Sequence, residues 1–209
     1  MVSPFNGISD KERKKLFTLL RTHIYTFDAN QNILSILKND DVLGIIENGY
    51  AEITRIDYNG NKSIIEQLDQ NSIFGTTISS IDNNEFSILT KEPTTAIIIE
   101  YNKLTEKEYT KYNFYNIFIQ NILKIINEKI MQKNQKIRIL TKKTIRNKLL
   151  EFFDIEQELH HSKNIYLSST FTDLADYLAV DRSAMTRELK SLKDEGFIVI
   201  KGKKITLLY

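Results

Sequence analysis

The feature that most constrains the fold is a change in the spacing of apolar residues near residue 105. From Thr22 to about Tyr101, apolar residues come in short β-branched and aromatic runs. From Thr105 to about Lys136 there is neither Pro nor Gly, and apolar residues recur at helical spacing. The first pattern is typical of a small β barrel or sandwich, and the second of a long helix. The chain is therefore predicted to join a β domain to a helical half.

Six short runs within the first region predict β-strands. They are Ile33–Leu37, Val42–Ile46, Tyr50–Ile56, Ser63–Leu68, Phe86–Thr90 and Thr94–Tyr101. Asn48-Gly49 and Asn59-Gly60 lie between runs and predict hairpin turns, because both central residues of such a turn need positive φ. Many short strands at close spacing predict a jelly-roll β barrel.

Helices are predicted on both sides of the β region. Ser9 and Glu12 have the spacing of a capping box at the start of a short first helix, and Thr105 and Glu108 repeat it at the start of the long one. The long helix is apolar enough to need a partner, which we predict to be a second copy of the chain, with purely intramolecular packing as the alternative. The residues predicted at this dimer interface are Tyr115, Phe118, Ile119, Ile122, Ile126 and Ile130.

The C-terminal stretch predicts a helix-turn-helix. Thr170 and Asp173 open a short helix with a capping-box-like spacing, Ala179-Val180 forms the turn, and Asp181 caps a second helix over residues 182–194. In this motif the first helix rests across the DNA backbone, while the second enters the major groove. The pattern therefore predicts binding to double-stranded DNA.

A helix over residues 144–159 precedes this motif, and a two-stranded ribbon follows it. Gly196 ends the second helix, and the strands Phe197–Ile200 and Ile205–Leu208 are joined by Lys201-Gly-Lys-Lys204. A basic ribbon beside a helix-turn-helix is a wing whose lysines can meet phosphates. The sequence therefore predicts a winged helix-turn-helix.

Residues on the outer face of the second helix are the candidates for reading the DNA sequence. Met185, Leu189 and Leu192 follow the spacing of a buried face, which leaves the polar residues outside. Arg suits guanine because its two-pronged donor matches O6 and N7. The predicted base contacts are Arg182, Ser183 and Arg187, and the predicted backbone contacts are Thr170, Thr186, Lys190, Lys203 and Lys204. The alternative for Arg182 and Arg187 is an ordinary helix-surface arginine, and for Ser183 a phosphate contact. For Thr170, Lys203 and Lys204 a purely solvated position is the alternative.

The distribution of charge agrees with a polyanionic partner. The net charge is +2, but residues 1–120 carry −4 and residues 121–209 carry +6. The alternative reading of such basic runs is a solvated helix face.

Composition excludes several other kinds of site. The chain has no cysteine, so disulfides, cysteine-ligated zinc and iron–sulfur clusters are excluded. The three histidines are too few and too scattered for a metal cage, so no metal, cofactor or catalytic residue is predicted and the protein is not expected to be an enzyme. No run of residues is apolar enough to span a membrane and no leader pattern is present, so we expect a cytoplasmic protein.

Residues 171–198 resemble the DNA-binding region of the CRP/FNR regulators, the cyclic-AMP receptor protein and its relatives. Residues 46–53 resemble the glycine-centred hairpin of that family's cyclic-nucleotide-binding roll, and Ser72-Ile-Phe-Gly75 resembles the start of its phosphate cassette. The resemblance implies a homodimer on a pseudo-palindromic operator. It also implies an effector pocket near Phe74, Gly75, Thr76 and Thr77.

The sequence departs from the family where cyclic AMP would bind. The family's binders follow the Phe-Gly pair with a Glu and later carry an Arg, whereas Thr76-Thr77 follows Gly75 here and no Lys or Arg occurs between residues 71 and 90. Burying a phosphodiester without a cation would be very costly, so cyclic AMP is rejected as the effector. A haem held by His23 is an alternative, but we expect His23 to be a structural residue. Many members of the family carry a Glu, which accepts from cytosine, at the position of Ser183. The operator of this chain is therefore expected to differ from the family's commonest half-site.

The sequence thus predicts an α+β protein with a β-roll effector domain (1–104), a dimerisation helix (105–136) and a winged helix-turn-helix domain (137–209). Its predicted partners are DNA and a second copy of the chain. An activator would also contact RNA polymerase, for which residues 158–164 are the candidate loop. The alternatives are a protein-interaction module built on the winged helix, for which the acidic residues Glu151, Asp154, Glu156 and Glu158 would be suited, and a cupin-like enzyme.

Overall fold

The computed structural model describes residues 2–35, 41–56, 58, 60, 62–75, 86–167 and 170–209, without the side chain of residue 62. Within it the chain divides into two compact units, Met1–Asn127 and Glu128–Tyr209. The finer predicted division at residues 104 and 136 stays a prediction.

The N-terminal unit begins with helix α1 (Asp10–Leu20). The capping box predicted at Ser9 is confirmed, because the Ser9 hydroxyl accepts from the Glu12 amide and the Glu12 carboxylate accepts from the Ser9 amide at 3.0 Å. Leu16 and Leu20 are fully buried, so this helix covers part of the β domain.

The described residues of this unit form seven strands in two antiparallel sheets. The strands are β1 (His23–Phe27), β2 (Val42–Asn48), β3 (Ala51–Ile56), β4 (Lys62–Leu68), β5 (Ile73–Gly75), β6 (Phe86–Thr90) and β7 (Thr94–Glu100). One sheet has the order β1-β7-β2-β5 and the other β4-β3-β6. Their buried side chains, among them Phe27, Ile46, Ile53 and Ile88, form one apolar cluster, as in a β roll. The sequence missed β1 and β5.

The strand predicted at Ile33–Leu37 is wrong where the structure describes it, because Ile33–Ser35 is a 3₁₀ turn. The cause is Asn32, whose side-chain oxygen accepts from the amide of Leu34 at 3.2 Å and from the amide of Ile88 at 3.1 Å. An Asn side chain that bonds its own backbone neighbours favours a turn over a strand.

The hairpin predicted at Asn48-Gly49 is also wrong, although the turn itself exists. Gly49 has φ 94°, but β2 pairs with β5 and β7 while β3 pairs with β4 and β6. The turn therefore passes the chain from one sheet to the other. The second predicted hairpin joins β3 to β4 as expected, with Gly60 at φ 81° and Asn59 outside the described residues.

The long helix, α2 (Asn113–Leu140), begins later than the sequence predicts. Residues Tyr101–Thr105 and Lys107–Lys111 form 3₁₀ turns instead of its first turns. Tyr109 is buried there and packs edge-on against Tyr115 at 5.8 Å, so a packing contact overrides the capping-box spacing at Thr105. Before residue 128, α2 packs against α1 and the first sheet.

After the end of α2, the described residues of the C-terminal unit form three helices and a three-stranded sheet. These are α3 (Ile145–His160), β8 (Asn164–Tyr166), α4 (Phe171–Leu178), α5 (Arg182–Asp194), β9 (Ile198–Lys201) and β10 (Lys204–Leu207), with the sheet order β8-β10-β9. Leu149, Phe153, Leu174, Met185 and Ile205 lie in its buried core. The sequence predicted every element of this unit except β8.

Candidate DNA-binding site

Helix α4 and the turn after it are held by local hydrogen bonds that the sequence anticipates. Thr170 and Asp173 form a capping box, in which the amide and hydroxyl of Thr170 donate to the Asp173 carboxylate at 2.8 and 2.7 Å. These bonds lower the pKa of Asp173 below its usual value. Ala179 is left-handed with φ 50°, and the Val180 amide donates to the Ala175 carbonyl at 3.0 Å, which closes the turn.

Helix α5 starts at a capped position and buries one face. Asp181 accepts from the Ala184 amide at 2.8 Å, as an N-cap residue does. Met185, Leu189 and Leu192 are buried in the unit's core, which confirms the inner face predicted from the spacing. Since this apolar face is fixed, the angular position of every other side chain on the helix is fixed with it.

The predicted DNA-contacting residues of α5 are all exposed. Arg182, Ser183, Thr186, Arg187 and Lys190 lie outside the buried face. Thr186 donates its hydroxyl to the Arg182 carbonyl at 2.9 Å, within the helix. The side chains of Arg182, Ser183 and Arg187 make no hydrogen bond or ion pair among the described residues. The first two turns of α5 therefore present two uncommitted guanidinium groups beside a small hydroxyl.

The basic ribbon forms a tight hairpin next to α5 in the sequence. Lys201 pairs with Lys204 across a two-residue turn, in which Gly202 has φ 59°. Lys203 is exposed at the tip, whereas Lys204 is half-buried, with its ammonium 5.4 Å from the centre of the Tyr166 ring. Lys203 is thus the more accessible of the two lysines predicted to contact phosphates.

Two basic residues of α3 support this motif, and sequence reasoning missed both. The Lys148 ammonium donates to the carbonyls of Leu178 and Ala179 at 2.9 and 3.4 Å, at the C-terminal end of α4. The Arg146 guanidinium bonds both Glu195 and Glu188, two residues separated by almost two helical turns. Both contacts join residues that are at least 30 positions apart in the chain, so only the tertiary structure could give them.

The residues predicted at the dimer interface divide into two groups. Tyr115, Phe118 and Ile122 are buried inside the N-terminal unit, at 5%, 0% and 6% exposure. Ile119 and Ile126 are only partly buried, and Ile130 is 50% exposed. The first three are thus covered by their own chain, and the accessible part of the predicted interface is the second group.

The predicted effector residues that the structure describes are packing residues. Phe74 is fully buried, and a Cβ at Gly44 would lie 2.1 Å from its ring. A Cβ at Gly75 would lie 2.3 Å from the Val42 carbonyl oxygen. Thr76 and Thr77 lie outside the described residues. The close approach of β2 and β5 therefore explains why Gly44 and Gly75 are glycines.

The geometry of the C-terminal unit defines its class. A capped helix, a left-handed turn, a second capped helix with an exposed basic face and a basic β-ribbon make a winged helix-turn-helix, the architecture of a class of DNA-binding domains. Residues 145–209 match the family model of the Crp-like helix-turn-helix domain.

Solved structures share the fold of nearly the whole chain. A CprK structure with OCPA bound has a TM-score of 0.65 at 15% identity, with 94% of this chain and 92% of that one covered. A CooA mutant from Carboxydothermus hydrogenoformans has a TM-score of 0.57 at 15% identity, covering 91% and 85%. The Thermus thermophilus catabolite activator protein has 0.51 at 14% identity, covering 98% and 93%. None of the curated proteins compared is similar in sequence. Residues 145–209 are thus a Crp-like helix-turn-helix domain, and nearly the whole chain shares the fold of these solved structures.

The described residues offer neither a metal site nor a membrane span. They contain no group of three His, Cys, Asp or Glu side chains arranged to hold a metal ion. Among those residues, too, no helix is both long and apolar enough to cross a bilayer.

Proposed function

We propose that the chain binds double-stranded DNA as a homodimer, with α5 of each protomer in the major groove and the ribbon on the phosphates. Arg182, Ser183 and Arg187 read base edges in this proposal, while Thr170, Thr186, Lys190, Lys203 and Lys204 contact the backbone. Two such helices about one DNA turn apart require a pseudo-palindromic operator. A protein that regulates transcription in this way works in the cytoplasm of a bacterium.

The observation that carries the proposal is the two-sided character of α5. Its inner face is fixed by three buried side chains, while Arg182 and Arg187 are exposed and unbonded among the described residues. An arginine that serves the fold is normally engaged by a carboxylate or a carbonyl, as Arg146 is here. Free guanidinium groups on a rigid helix are preorganised for a two-pronged bond to guanine.

The dimer is proposed to form along the exposed stripe of α2. Leu123, Ile130 and Ile137 follow one another at intervals of seven residues and are 54%, 50% and 57% exposed. Apolar residues at heptad spacing are the signature of a two-helix seam. The partly buried Ile119 and Ile126 flank this stripe. Tyr115, Phe118 and Ile122 are left out of the proposed seam because their own chain covers them.

The β roll is proposed to act without a cyclic nucleotide. Between residues 71 and 90 the sequence offers no cation for the cyclic phosphate. Phe74, at the start of the cassette-like segment, is fully buried. The roll then serves as a scaffold for α2 or as the sensor of another effector. An activator of this type would contact RNA polymerase, for which the segment 158–164 remains the proposed surface.

The alternative, a winged helix that binds protein, rests on the acidic residues of α3. Glu151 is already paired with Arg138 and Lys142, both at 2.8 Å. Asp154 accepts from the Tyr209 hydroxyl at 3.0 Å, and Glu156 lies 3.6 Å from His160. These contacts leave Glu158 as the most accessible of the four. The acidic patch is therefore less available to a partner than the basic face of α5.

The test is a selection of bound sequences from a random duplex pool, using purified protein without ligand and then the Arg187→Ala variant. We expect a two-fold symmetric motif with the wild type and loss of a guanine preference at one position per half-site with the variant. The same selection with the Arg21→Ala variant, which alters an exposed arginine of the N-terminal unit, is the control and should return the wild-type motif. Failure to enrich any sequence, with and without cell extract, would contradict the proposal.

A further inference from the structure

We propose that Arg146 is a positioning residue that sets the orientation of the recognition helix α5 through a clamp made with Glu188, Ser191, Glu195 and Phe197. The inference rests on the proposed function, since it concerns how α5 is held for DNA. Arg146 is the second residue of α3, directly after the segment 141–144 that separates α2 from α3. The clamp therefore connects the first turn of α3 to the recognition helix α5.

The contacts reach α5 and the residue that ends it. Arg146 Nη1 donates to Glu195 Oε1 at 2.9 Å, and Nη2 donates to the other carboxylate oxygen, so the pair is two-pronged. The same Nη1 reaches Glu188 Oε1 at 3.4 Å. Glu188 lies in the middle of α5, while Glu195 is its C-cap. One guanidinium thus fixes two points along the helix.

Further contacts lock the clamp from the other side. The Ser191 hydroxyl donates to Glu195 Oε1 at 2.7 Å, and the Arg146 guanidinium lies 5.1 Å from the centre of the Phe197 ring. The bonds from Arg146 and Ser191 lower the pKa of Glu195 to about 2. Glu195 is therefore ionised at neutral pH, as the two-pronged pair with Arg146 requires.

The arrangement is suited to orientation more than to overall stability. The Arg146 and Glu195 side chains are 30% and 43% exposed, so water screens their attraction. The core contacts of Met185, Leu189 and Leu192 already hold α5 to the unit. A two-pronged pair with fixed geometry adds a constraint on the rotation and tilt of the helix. Base readout depends on such placement, because bonds to base edges tolerate only small displacements.

The experiment compares DNA binding by wild type, Arg146→Gln, Glu195→Gln and the double variant over a series of salt concentrations. We expect each single variant to weaken operator binding roughly fivefold or more, and the double variant to be no weaker than the worse single, because interacting residues are not additive. The slope of log affinity against log salt should stay unchanged, since no phosphate contact is lost. Arg146→Lys, which keeps the charge but not the fork, should recover part of the affinity.

Arg138→Gln is the matched control, because Arg138 also pairs with a glutamate of α3 but not with α5, and Lys142 still holds Glu151. Its operator affinity should stay within twofold of wild type. Circular dichroism at the assay temperature checks that each variant is folded. If Arg146→Gln is not folded, the test rests on Glu195→Gln, which leaves the contact between Arg146 and Glu188 in place. Wild-type affinity in both single variants would overturn the inference. A salt slope lowered by about 0.9 per protomer would overturn it too, because Arg146 would then be a phosphate contact. If the wild type itself selects no DNA sequence, the proposed function fails instead.

Discussion

Helix α5 of the C-terminal unit and strand β5 of the N-terminal unit both carry residues to which the sequence assigns a binding role, but only α5 presents them to solvent. Arg182 and Arg187 are exposed on a helix whose opposite face is buried. Phe74 and Gly75 are instead fully buried in the roll, against Gly44 and the Val42 carbonyl. Residues to which the sequence assigns a binding role therefore lie on an accessible surface in one unit and in a packing contact in the other.

The difference separates residues that can vary with function from residues that cannot. An exposed arginine contributes little to stability, so it can be changed to alter DNA recognition without loss of the fold. A buried phenylalanine contacts many neighbours, so changing it affects the fold before it affects any ligand. Charged residues divide in a similar way, since a paired group such as Lys142 is engaged within its own chain, whereas an exposed group such as Arg187 is available to a partner.

The largest effect is expected for Phe74→Ala. Removal of this fully buried ring should lower the free energy of unfolding by about 3–5 kcal/mol, because the cavity between β2 and β5 cannot close around Gly44. Urea denaturation followed by circular dichroism measures the loss. The control is Ile24→Ala on strand β1, where the side chain is 53% exposed, with an expected change within about 0.5 kcal/mol. Equal stability of the two variants would contradict the assignment of Phe74 to the core of the roll.

The N-terminal half shows why much of the roll could not be predicted residue by residue. Its pairings join distant residues, as when β2 pairs with β7, so nothing local distinguishes a hairpin at Asn48-Gly49 from a passage between sheets. At Ile33 the β-branched pattern loses to one Asn side chain. At Thr105 the capping-box spacing loses to the burial of Tyr109. Tertiary contacts contribute to all three, since even Asn32 bonds the distant Ile88 as well as its neighbour Leu34, and the local sequence pattern does not contain such contacts.

The C-terminal half could be predicted because its signals are local. The cap residues Thr170 and Asp181 act within three residues of themselves, and the buried face of α5 follows from spacing alone. The class of the domain and the exposed face were therefore readable. The Arg146 clamp was not, because its partners lie more than forty residues away in the chain.

Ile130→Glu tests whether the exposed apolar residues of α2 are a seam. In a symmetric dimer the substitution places two carboxylates near each other in an apolar contact, and like charges so placed cost several kcal/mol. We expect the dimer dissociation constant to rise by roughly 100-fold or more, as measured by analytical ultracentrifugation, with the monomer still folded since Ile130 is 50% exposed. Ile24→Glu has the same chemistry on the roll and should leave the dimer intact. A wild-type monomer at micromolar concentration would refute the seam directly.

Arg187→Lys and Arg187→Ala sharpen the contrast between exposed and buried residues. Loss of a two-pronged guanine contact should cost about 1–3 kcal/mol of operator binding per protomer and relax the preference at one base pair. Arg187→Lys keeps the charge but not the fork, so it should lose the preference while keeping the salt dependence. Fluorescence anisotropy with operator and single-substitution duplexes measures both. Since Arg187 is exposed, the melting temperature should not change, and a clear drop would contradict the assignment.

Lys190→Ala should have a smaller and different effect. As a phosphate contact, Lys190 would contribute affinity to every sequence alike, so its loss should lower the salt slope by about 0.9 per protomer without changing the selected motif. The measurement is operator and random-duplex binding at several salt concentrations. A change of motif would instead place Lys190 at a base edge.

The smallest effect concerns acid stability and the paired charges of α3. The bond from Lys142 and the nearby Arg138 hold the pKa of Glu151 below its usual value of 4.5. Protonation is therefore harder in the folded state, so the pair stabilises the unit fully above pH 4.5 and the contribution is lost as the pH falls below it. Glu151→Gln should make the unfolding free energy of the protein less sensitive to pH in that window, with Glu158→Gln, an exposed neighbour on α3, as the control. The dependence should flatten only in part, because Asp173 and Glu195 also have lowered pKa values. An unchanged pH profile would mean that Arg138 and Lys142 do not stabilise the ionised Glu151 in the folded state. The distinction between charges that are engaged within the chain and charges that are available to DNA would then fail at this pair.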